Sequence, residues 1–379
     1  MNALWITAEE ALALLGTKPQ TLYANVSRGR IRAKPDPADP RRSLYQLDDV
    51  KRLAERHAGR RKSSAVAADA IRWGDPVLPT TISSISSEQL SYRGNDAVDL
   101  SAHATLEEVA ALLWGTSEVR VEAGMAEGEA SRMEAAFGRL AARVMTDLPA
   151  LGRKPFVLRA EAVDVLSSVA AALAPWPEPL PLHERLARGW RRPEAADPIR
   201  RALVLLAEHE LNVSAFAARV TASSGAALSA ATLSGLATLT GPRHGGAWLG
   251  VTALKEKAAS VGVREAIRGV LSSEGLVSAF GHRLYPHGDP RARALMASFE
   301  APPLFTALAE AGEELLGEPV NIDFALAALA DTFELPDDAP LVIFALARTV
   351  GWLAHAIEQI ESGHLIRPRA RYADPGEGI

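Results

Sequence analysis

Two histidines, His209 and His244, stand at the two ends of a long segment of small and apolar residues. Between residues 211 and 242 the only charged side chain is Arg219, which predicts a buried pair of helices. The second histidine belongs to Gly-Pro-Arg-His-Gly-Gly at 241–246. A proline and three glycines around one histidine are typical of a tight turn with accessible backbone. Because imidazole exchanges a proton near neutral pH, His244 is a candidate for catalysis.

Four further stretches combine histidine, aspartate or arginine with turn residues. They are FGHRLYPHGDPRA at 280–292, NIDF at 321–324, ARTVGWLAH at 347–355 and LIRPR at 365–369. The side chains in them that could do chemistry are His282, Arg291, Asp323, Arg348 and Arg367. Arginines bind carboxylates through paired hydrogen bonds, and a carboxylate beside a histidine is suited to acid–base catalysis.

Each of these residues also has a structural explanation when it is taken alone. His209 could be a core histidine on a helix over 198–209, His244 a turn histidine, and His282 a loop histidine bonded to Asp289. Asp323 could be the N-cap of a helix over 324–332, and Arg348 the partner of a helix end or of a glutamate. Arg367 could be a solvated tail residue. The order of the whole set along the chain therefore carries more weight than any one member.

The chain from residue 63 onward is predicted to be mainly α-helical. Periodic Ala- and Leu-rich segments, punctuated by Gly and Pro, occur at 106–114, 130–146, 160–174 and 198–209. Weak strand signals occur at 80–85 and 90–92. The basic and then small, polar segment 57–68 is the best linker, which puts a domain boundary near residue 62.

The first 62 residues have a pattern of their own. Residues 5–15 predict a helix with Thr7 and Glu10 as a capping box, and Pro19 begins a second helix that ends near Arg28. A hairpin over 31–45 and another helix from Leu47 follow. The pattern resembles the winged helix-turn-helix of MerR-like and excisionase-like DNA-binding domains. The alternative is a small helical cap that mediates oligomer contacts.

The charge distribution separates the same two parts. Residues 1–62 contain 13 Lys+Arg and 7 Asp+Glu, whereas the remainder contains 28 and 39. A basic head on an acidic body suggests two modules with different partners, and residues 1–62 are a possible DNA-binding module.

Composition excludes several classes of site. The sequence has no cysteine, so it has no disulfide and no thiolate chemistry. It shows no acidic metal-ligand cluster, no basic and apolar leader at 1–15, and no uncharged apolar run of about 18 residues. We therefore expect a cytoplasmic protein without metal and without a membrane span.

The motifs, in their order along the chain, resemble the citrate synthase family. The similarity runs from Tyr92-Arg93-Gly94 to Tyr372, about three quarters of the chain. It rests on LNVSAFAARV, GPRHGGA, FGHRLYPHGDPRA, NIDF, ARTVGWLAH and LIRPRARY. The resemblance implies an all-α large domain at 63–245 and 335–379, an all-α small domain at 246–334 that closes over the substrates, and a homodimer or dimer-based oligomer.

The resemblance also implies roles for individual residues in the condensation of oxaloacetate with acetyl-CoA. Asp323 is expected to take the methyl proton, His244 to stabilise the enol, and His282 to polarise the oxaloacetate carbonyl. The remaining residues are expected to bind oxaloacetate: His209, Arg291, Arg348, and Arg367 from the partner subunit. No cofactor is expected, because coenzyme A enters as the substrate thioester.

The sequence departs from the family pattern at four places. Trp248 stands where an asparagine is usual, Ser278 and Ala279 replace a proline and a glycine, and Pro286 replaces a basic residue. Residues 82–92 match the family poorly. The catalytic residue types are retained, so these changes bear on coenzyme A binding and on the choice of acyl group.

The sequence therefore predicts a citrate synthase-type enzyme that forms citrate from acetyl-CoA or 2-methylcitrate from propionyl-CoA. The two thioesters differ by one methylene, which is worth only about 1–3 kcal/mol of discrimination. The alternative is a DNA-binding regulator in which a citrate synthase-like body senses a metabolite.

Overall fold

The computed structural model describes residues 5–15, 19–27, 30–36, 39, 42–51, 78–125, 131–369 and 372. Contacts between Cα atoms divide the chain into two compact units, residues 1–79 and 80–379. The predicted linker at 57–68 and the boundary near residue 62 lie outside the described residues. The three predicted domains thus stay a prediction.

The first unit combines two helices with a three-stranded sheet. Its elements are β1 (Trp5–Ile6), α1 (Ala8–Leu15), α2 (Pro19–Ser27), β2 (Ala33–Pro35) and β3 (Ser43–Gln46), followed by helical residues 47–51. All pairs in the β1-β3-β2 sheet are antiparallel. The Glu10 carboxylate accepts the Thr7 N–H at 2.8 Å, so the predicted capping box is present at the start of α1. Arg28, where the second helix was predicted to end, lies outside the described residues.

The second unit begins with a small antiparallel sheet and continues almost entirely as helices. The strands are β4 (Ser83–Ser86), β5 (Gln89–Tyr92) and β6 (Asn95–Asp96). The helices are α3 (Ala97–His103), α4 (Leu106–Trp114), α5 (Arg132–Thr146), α6 (Pro155–Leu173), α7 (Leu182–Gly189), α8 (Ala196–Leu206), α9 (Val213–Ser223), α10 (Leu228–Leu239), α11 (Trp248–Val261), α12 (Val263–Glu274), α13 (Pro290–Met296), α14 (Pro303–Leu316), α15 (Ile322–Thr332) and α16 (Ala339–Ser362). A 3₁₀ turn at Pro193–Ala195 precedes α8.

Two hydrophobic cores organise this unit. The larger core draws on α3 to α10, α13 and α16, and the smaller on α11, α12, α14 and residues 277–280. Helix α15 contributes to both, with Ala325 in the larger core and Phe324 in the smaller. All residues of the smaller core fall within 246–334, the range predicted for a small domain.

The predicted buried helix pair is α9 and α10, which pack against each other and against α16. Their contact with α16 is close because small residues face it. A Cβ on Gly235 would lie 2.6 Å from the Trp352 ring. The pair thus forms a rigid base between the stretches that contain His209 and His244.

Within the described residues, α16 alone is long and apolar enough to cross a membrane. However, 94% of its most apolar window is buried against the rest of the fold, as expected of a core helix. Arg348 and His355 both lie on this helix and are also buried.

The structure differs from the sequence prediction at several helix ends. Trp5–Ile6, within the helix predicted at 5–15, is a strand, and the helix predicted at 160–174 begins at Pro155. Residues 198–209 were predicted as a single helix, but α8 ends at Leu206. His209 instead lies in the short connection before α9. Glu210, which follows it, has a φ of 50°, a left-handed conformation that a helix interior excludes.

Candidate active site

His209 is held in its connection by contacts from three elements. Arg348 on α16 donates from Nε to the Leu206 carbonyl at 2.8 Å, which caps the end of α8. The Asn212 amide donates to the His209 carbonyl at 3.2 Å. The buried imidazole reaches the Tyr285 hydroxyl through Nε2 at 2.9 Å.

The second histidine, His282, stands beside the first. The two imidazole rings are 5.2 Å apart, edge to face, and the Tyr285 ring lies 5.0 Å from His282. The Leu284 N–H donates to His282 Nδ1 at 3.2 Å. Because Nδ1 accepts, the proton of the neutral ring is on Nε2, where it can be donated to a ligand.

Asp289 fixes Arg291 and the start of α15 together. Its carboxylate accepts from Arg291 Nε at 2.9 Å and from Nη2 at 2.8 Å. The same carboxylate accepts the Ile322 N–H at 3.2 Å. Arg291 is nearly fully buried, and its guanidinium lies 5.3 Å from the centre of the Tyr285 ring.

Asn321 connects α15 to the loop that carries His282. Its side-chain oxygen caps α15 by accepting the Asp323 and Phe324 N–H groups, and its amide donates to the Ser278 and Gly281 carbonyls. The N-cap of this helix is therefore Asn321, so the proposed capping role of Asp323 is wrong. The Asp323 carboxylate therefore takes no part in capping and can contact a ligand.

Asp323 has an unusual environment for a carboxylate. Its Oδ1 is buried and has no hydrogen-bond partner within the described residues. Burial raises the pKa of Asp323 to about 7, although the positive charges of Arg291 and Arg348 oppose this. A carboxylate with a free lone pair and a pKa near neutrality can accept a proton from a weak carbon acid.

Arg348 presents a guanidinium that is only partly engaged. It lies over the Phe344 ring at 4.8 Å and, within the described residues, forms no salt bridge within 4 Å. Its side chain is 1% exposed. Burial lowers the pKa of Arg348 to about 10, so the group stays charged at neutral pH and is available to a carboxylate ligand.

His244 approaches from the turn that precedes α11. Its Nε2 lies 2.7 Å from the Ser214 hydroxyl, which also accepts from Trp352 Nε1 at 3.0 Å. The Ser214 hydroxyl is in addition 2.8 Å from the Asn212 side-chain oxygen. Ser214 therefore connects His244 to α9 and α16.

All three histidines are neutral at physiological pH. Burial lowers the pKa of His244 to about 3 and of His282 to about 4, with the charge of Arg348 adding to the first and that of Arg291 to the second. Burial and then Arg291 hold the pKa of His209 well below its usual range. Neutral imidazoles can donate or accept a hydrogen bond without repelling the two arginines.

The structure thus brings six of the seven predicted residues into one cluster, in which His209, Arg291 and Arg348 are buried and the other three are half-buried. They are His209, His244, His282, Arg291, Asp323 and Arg348, joined through shared hydrogen bonds, ring contacts or charge interactions. Arg367 is exposed in the tail after α16 and does not belong to this cluster.

Four contributing residues were not predicted to take part in the site. They are Ser214, Tyr285, Asp289 and Asn321. Asp289 and Asn321 had a visible signal, because each precedes a helix start and is a preferred N-cap. Ser214 and Tyr285 contact the predicted histidines only through the tertiary fold.

The substitutions at 248, 278, 279 and 286 place no residue in the left-handed region, whereas Ser87 and Glu88 in the poorly matching segment 82–92 have φ values of 49° and 63°. Ala279 is not among the described non-glycine residues with positive φ. The Ala279 carbonyl accepts the Asn321 N–H at 3.1 Å. Trp248 is the first residue of α11 and is partly buried. Pro286 is exposed.

Comparisons with known proteins show which family the chain is similar to. The family model "Citrate synthase, C-terminal domain" matches residues 160–369, more than half of the chain. Citrate synthase 2 of Bacillus subtilis is 34% identical over 194 residues, which are 48% of this chain and 52% of that protein. 2-Methylcitrate synthase 2 of Corynebacterium glutamicum is 32% identical over 188 residues, 45% and 48% of the two chains. The chain thus matches about half the length of these curated relatives.

A solved structure extends the similarity over most of the chain. It is the ternary complex of citrate synthase from Thermoplasma acidophilum with carboxymethyl coenzyme A and oxaloacetate. The similarity has a TM-score of 0.67 at 23% identity and covers 82% of this chain and 97% of that one, which shows a common fold. With the match of the family model and the sequence relatives, these comparisons identify the chain as a member of the citrate synthase family.

Proposed function

We propose that this protein condenses oxaloacetate with an acyl-CoA thioester and releases free coenzyme A. The observation that carries the proposal is the buried, unpartnered Oδ1 of Asp323 beside two arginines. Two curated relatives with citrate synthase and 2-methylcitrate synthase names support the reaction type.

In the proposed reaction Asp323 takes a proton from the carbon next to the thioester carbonyl. His244 donates a hydrogen bond to the thioester oxygen, which stabilises the enol that forms. This role needs the imidazole proton on Nδ1. The one Ser214 hydroxyl proton lies within reach of both the Asn212 side-chain oxygen and His244 Nε2, and the proposal requires that it be donated to Nε2 when the thioester binds.

The enol carbon then attacks the carbonyl carbon of oxaloacetate. His282 donates its Nε2 proton to the carbonyl oxygen as the new carbon–carbon bond forms. Hydrolysis of the resulting thioester gives the tricarboxylate and free coenzyme A. The neutral state of His282 supports this role, since Leu284 occupies its other nitrogen.

Oxaloacetate, a dianion, is proposed to bind between the two arginines and His209. Arg348 has terminal nitrogens that no described carboxylate contacts, and Arg291 keeps Nη1 beyond its pair with Asp289. Guanidinium groups recognise carboxylates through two parallel hydrogen bonds. The Thermoplasma acidophilum enzyme was solved with oxaloacetate and carboxymethyl coenzyme A bound, which supports oxaloacetate and a coenzyme A derivative as the ligands proposed for this chain.

The test is a coenzyme A release assay with oxaloacetate and a panel of acyl-CoA thioesters. Wild-type protein should release coenzyme A with acetyl-CoA or propionyl-CoA. Asp323→Asn should lower kcat by roughly 10²–10⁴-fold with little change in KM for oxaloacetate. Asp331→Asn, at the other end of the same helix and paired with Lys255, is the matched control and should keep full activity.

Two outcomes count against the proposal. No release with any thioester contradicts the enzyme activity itself. Full activity of Asp323→Asn contradicts the identification of the base and leaves the reaction type standing.

We propose further that the protein is a homodimer. Four large apolar side chains lie exposed around the connection between α5 and α6: Met145, Leu148, Leu151 and Phe156. A cluster of such residues is typical of an interaction surface. Arg367, exposed in the C-terminal tail, is proposed to complete the site of the partner subunit.

A second candidate function, DNA binding, concerns the first unit. Its helix pair followed by an antiparallel sheet, together with the basic balance of residues 1–62, supports a winged helix-turn-helix. Gln20 and Tyr23 are exposed on α2, the helix that would read base edges. In this proposal the citrate synthase body senses a metabolite.

Gel-shift titration with genomic DNA fragments tests this second function. Binding should weaken steeply with salt, because phosphate contacts release counterions. Residues 80–379 alone should then show no shift. Absence of binding by the full chain at low salt would leave the first unit as an oligomer cap.

A further inference from the structure

Beneath the candidate site lies a buried ionisable pair that the proposed reaction does not use. The side chains of Glu208 and His355 are both fully buried, and His355 Nε2 is 2.8 Å from Glu208 Oε1. Glu208 directly precedes His209, and His355 lies on α16 with Arg348. The pair therefore sits behind two residues proposed to bind oxaloacetate.

Hydrogen bonding indicates that Glu208 is an ionised carboxylate. Arg219 Nη1 lies 3.4 Å from His355 Nδ1, and a guanidinium can only donate, so Nδ1 accepts. The imidazole proton is then on Nε2 and is donated to Glu208. The other carboxylate oxygen accepts the Glu210 N–H at 2.8 Å. Burial raises the pKa of Glu208, but His355 and Ser83 outweigh it and hold the pKa below its usual value.

A glycine on α16 allows Glu208 to lie between the arginine and the histidine. Arg348, Gly351 and His355 follow each other at helical spacing on one face of α16. A Cβ on Gly351 would lie 2.4 Å from the Ala207 carbonyl oxygen and 3.1 Å from Glu208 Cγ. The close approach therefore requires glycine and places Glu208 against α16 between Arg348 and His355.

The positive charges of the two arginines in the site are offset in different ways. Arg291 has Asp289 in direct contact through two hydrogen bonds. Arg348 has no carboxylate within 4 Å in the described part of the chain, and the charge of Glu208 is the largest effect that opposes the lowering of its pKa by burial. Glu208 thus offsets the charge of Arg348 from a distance and leaves its terminal nitrogens open.

We infer that Glu208, held in place by His355, is a positioning residue for Arg348. When no substrate is bound, its carboxylate supplies the counter-charge of the Arg348 guanidinium. When substrate binds, the same charge limits how tightly Arg348 holds the substrate carboxylate. The inference rests on the proposed function, in which the ligand is a dicarboxylate. The carboxylate of the ligand and that of Glu208 share one guanidinium charge and repel each other. The ligand is therefore bound less tightly, and the more highly charged product is released more easily.

Calorimetric titration of oxaloacetate into the full chain tests the inference. Glu208→Gln keeps the shape and removes the charge, so the Kd should fall by about tenfold, and kcat should fall because product leaves more slowly. Glu107→Gln is the matched control, since Glu107 is also shielded from solvent but accepts the Leu182 N–H and lies next to Arg185. It should leave the Kd of oxaloacetate unchanged.

Two substitutions of His355 give an independent measurement if Glu208→Gln does not fold. His355→Gln keeps an N–H donor for Glu208 and should bind oxaloacetate as wild type does. His355→Leu removes the donor, so Glu208 takes up a proton in its buried position and the Kd should fall as in Glu208→Gln. A role limited to supporting the backbone would instead raise the Kd in both Glu208→Gln and His355→Leu.

The outcomes separate the inference from the proposed function. An unchanged or raised Kd in Glu208→Gln, with normal binding by wild type, overturns the inference alone. If wild-type protein binds neither oxaloacetate nor another dicarboxylate, the proposed function fails and the inference fails with it.

Discussion

The Asp323 carboxylate makes no capping bond because its neighbour Asn321 caps α15 instead. Aspartate in the first turn of a helix is ordinarily stabilised as an anion by the helix dipole and by capping bonds. Here Asn321 makes the capping bonds, and burial raises the pKa of Asp323 to about 7. Ionising the Asp323 carboxylate therefore costs free energy when no substrate is bound.

This cost predicts a pH-dependent effect on stability. The folded state binds the Asp323 proton more tightly than the unfolded chain does, with a pKa of about 7 against an ordinary 3.8. The resulting contribution to stability is fully present below about pH 4 and is lost as the pH rises through about 7. Asp323→Asn should therefore melt at a higher temperature than wild type at pH 8, and the difference should shrink towards pH 4. Calorimetric melting of both proteins across this range checks it. A constant difference at all pH values would contradict the raised pKa.

The sequence predicted the residues of the site better than their surroundings. His244, His282 and Asp323 stand in long motifs whose order is informative, and the structure gathers them with His209 and two arginines. Tyr285 and Ser214 were missed because their contacts, 2.9 Å to His209 and 2.7 Å to His244, join segments 76 and 30 residues apart. No local pattern records such a pairing.

At the scale of elements, the start of α15 sets the relation between Asp323, the proposed base, and the loop of His282. Asn321 caps this helix and also donates to two carbonyls of the loop, so one side chain fixes both. Capping residues are commonly predictable, but the two loop contacts span about 40 residues of sequence.

Asn321→Ala should therefore lower activity by more than its effect on stability explains. Loss of the cap should cost about 1 kcal/mol, and the loosened loop should reduce kcat at least about tenfold because Asp323 and His282 lose their mutual geometry. Thr105→Ala removes a comparable cap, the one that begins α4, outside the site. Urea denaturation and steady-state kinetics of both variants check this. Equal kinetic effects in the two would contradict a positioning role of Asn321.

A second prediction at the scale of elements concerns Gly351. Gly351→Ala should destabilise the protein and weaken oxaloacetate binding, because the new methyl group meets the Ala207 carbonyl oxygen at 2.4 Å and α16 must move from the His209 connection. Gly138→Ala on α5 meets nothing within 4 Å and should stabilise by about 0.5–1 kcal/mol. Thermal melting and calorimetric titration measure both effects. A stabilised Gly351→Ala would mean that the two segments are not tightly packed.

The helices themselves were largely predictable, and their ends were less so. The range 106–114 agrees with α4 residue for residue, since a capping box begins it and Gly115 ends it in the left-handed conformation. The end of α8 was predicted three residues too late because Ala207, Glu208 and His209 are all compatible with a helix. Tertiary contacts from Arg348 and Gly351 override that local preference.

At the scale of the whole molecule, the proposed role of Arg367 requires two subunits. Arg367→Ala and Asp323→Asn should each be nearly inactive alone. If Arg367 serves the site of the partner, a refolded equal mixture should regain about a quarter of wild-type activity, because half of the dimers are mixed and each has one intact site. Activity of the mixture relative to each variant is the measurement. No recovery, with dimers present by sedimentation, would place Arg367 in its own subunit's chemistry or in none.

Domain organisation was the least predictable level. The change in charge and composition near residue 62 separated a basic head from an acidic body, and the contacts separate residues 1–79 from 80–379. The small domain at 246–334 was predicted from family resemblance alone, since the helices in that range have the same Ala-rich composition as those of the larger core. Composition alone does not record which helix packs against which core.

The position of α15 between the two cores limits how this protein can change over evolutionary time. Seven of its eleven residues are buried, from Ile322 to Leu329, and they face two different sets of neighbours. A substitution there must suit both neighbourhoods at once, whereas α12 has only Ala266 and Ile267 buried among twelve residues. A saturation library should therefore accept far fewer variants in α15 than in α12. Sequence change is accordingly expected to accumulate in α12 before α15.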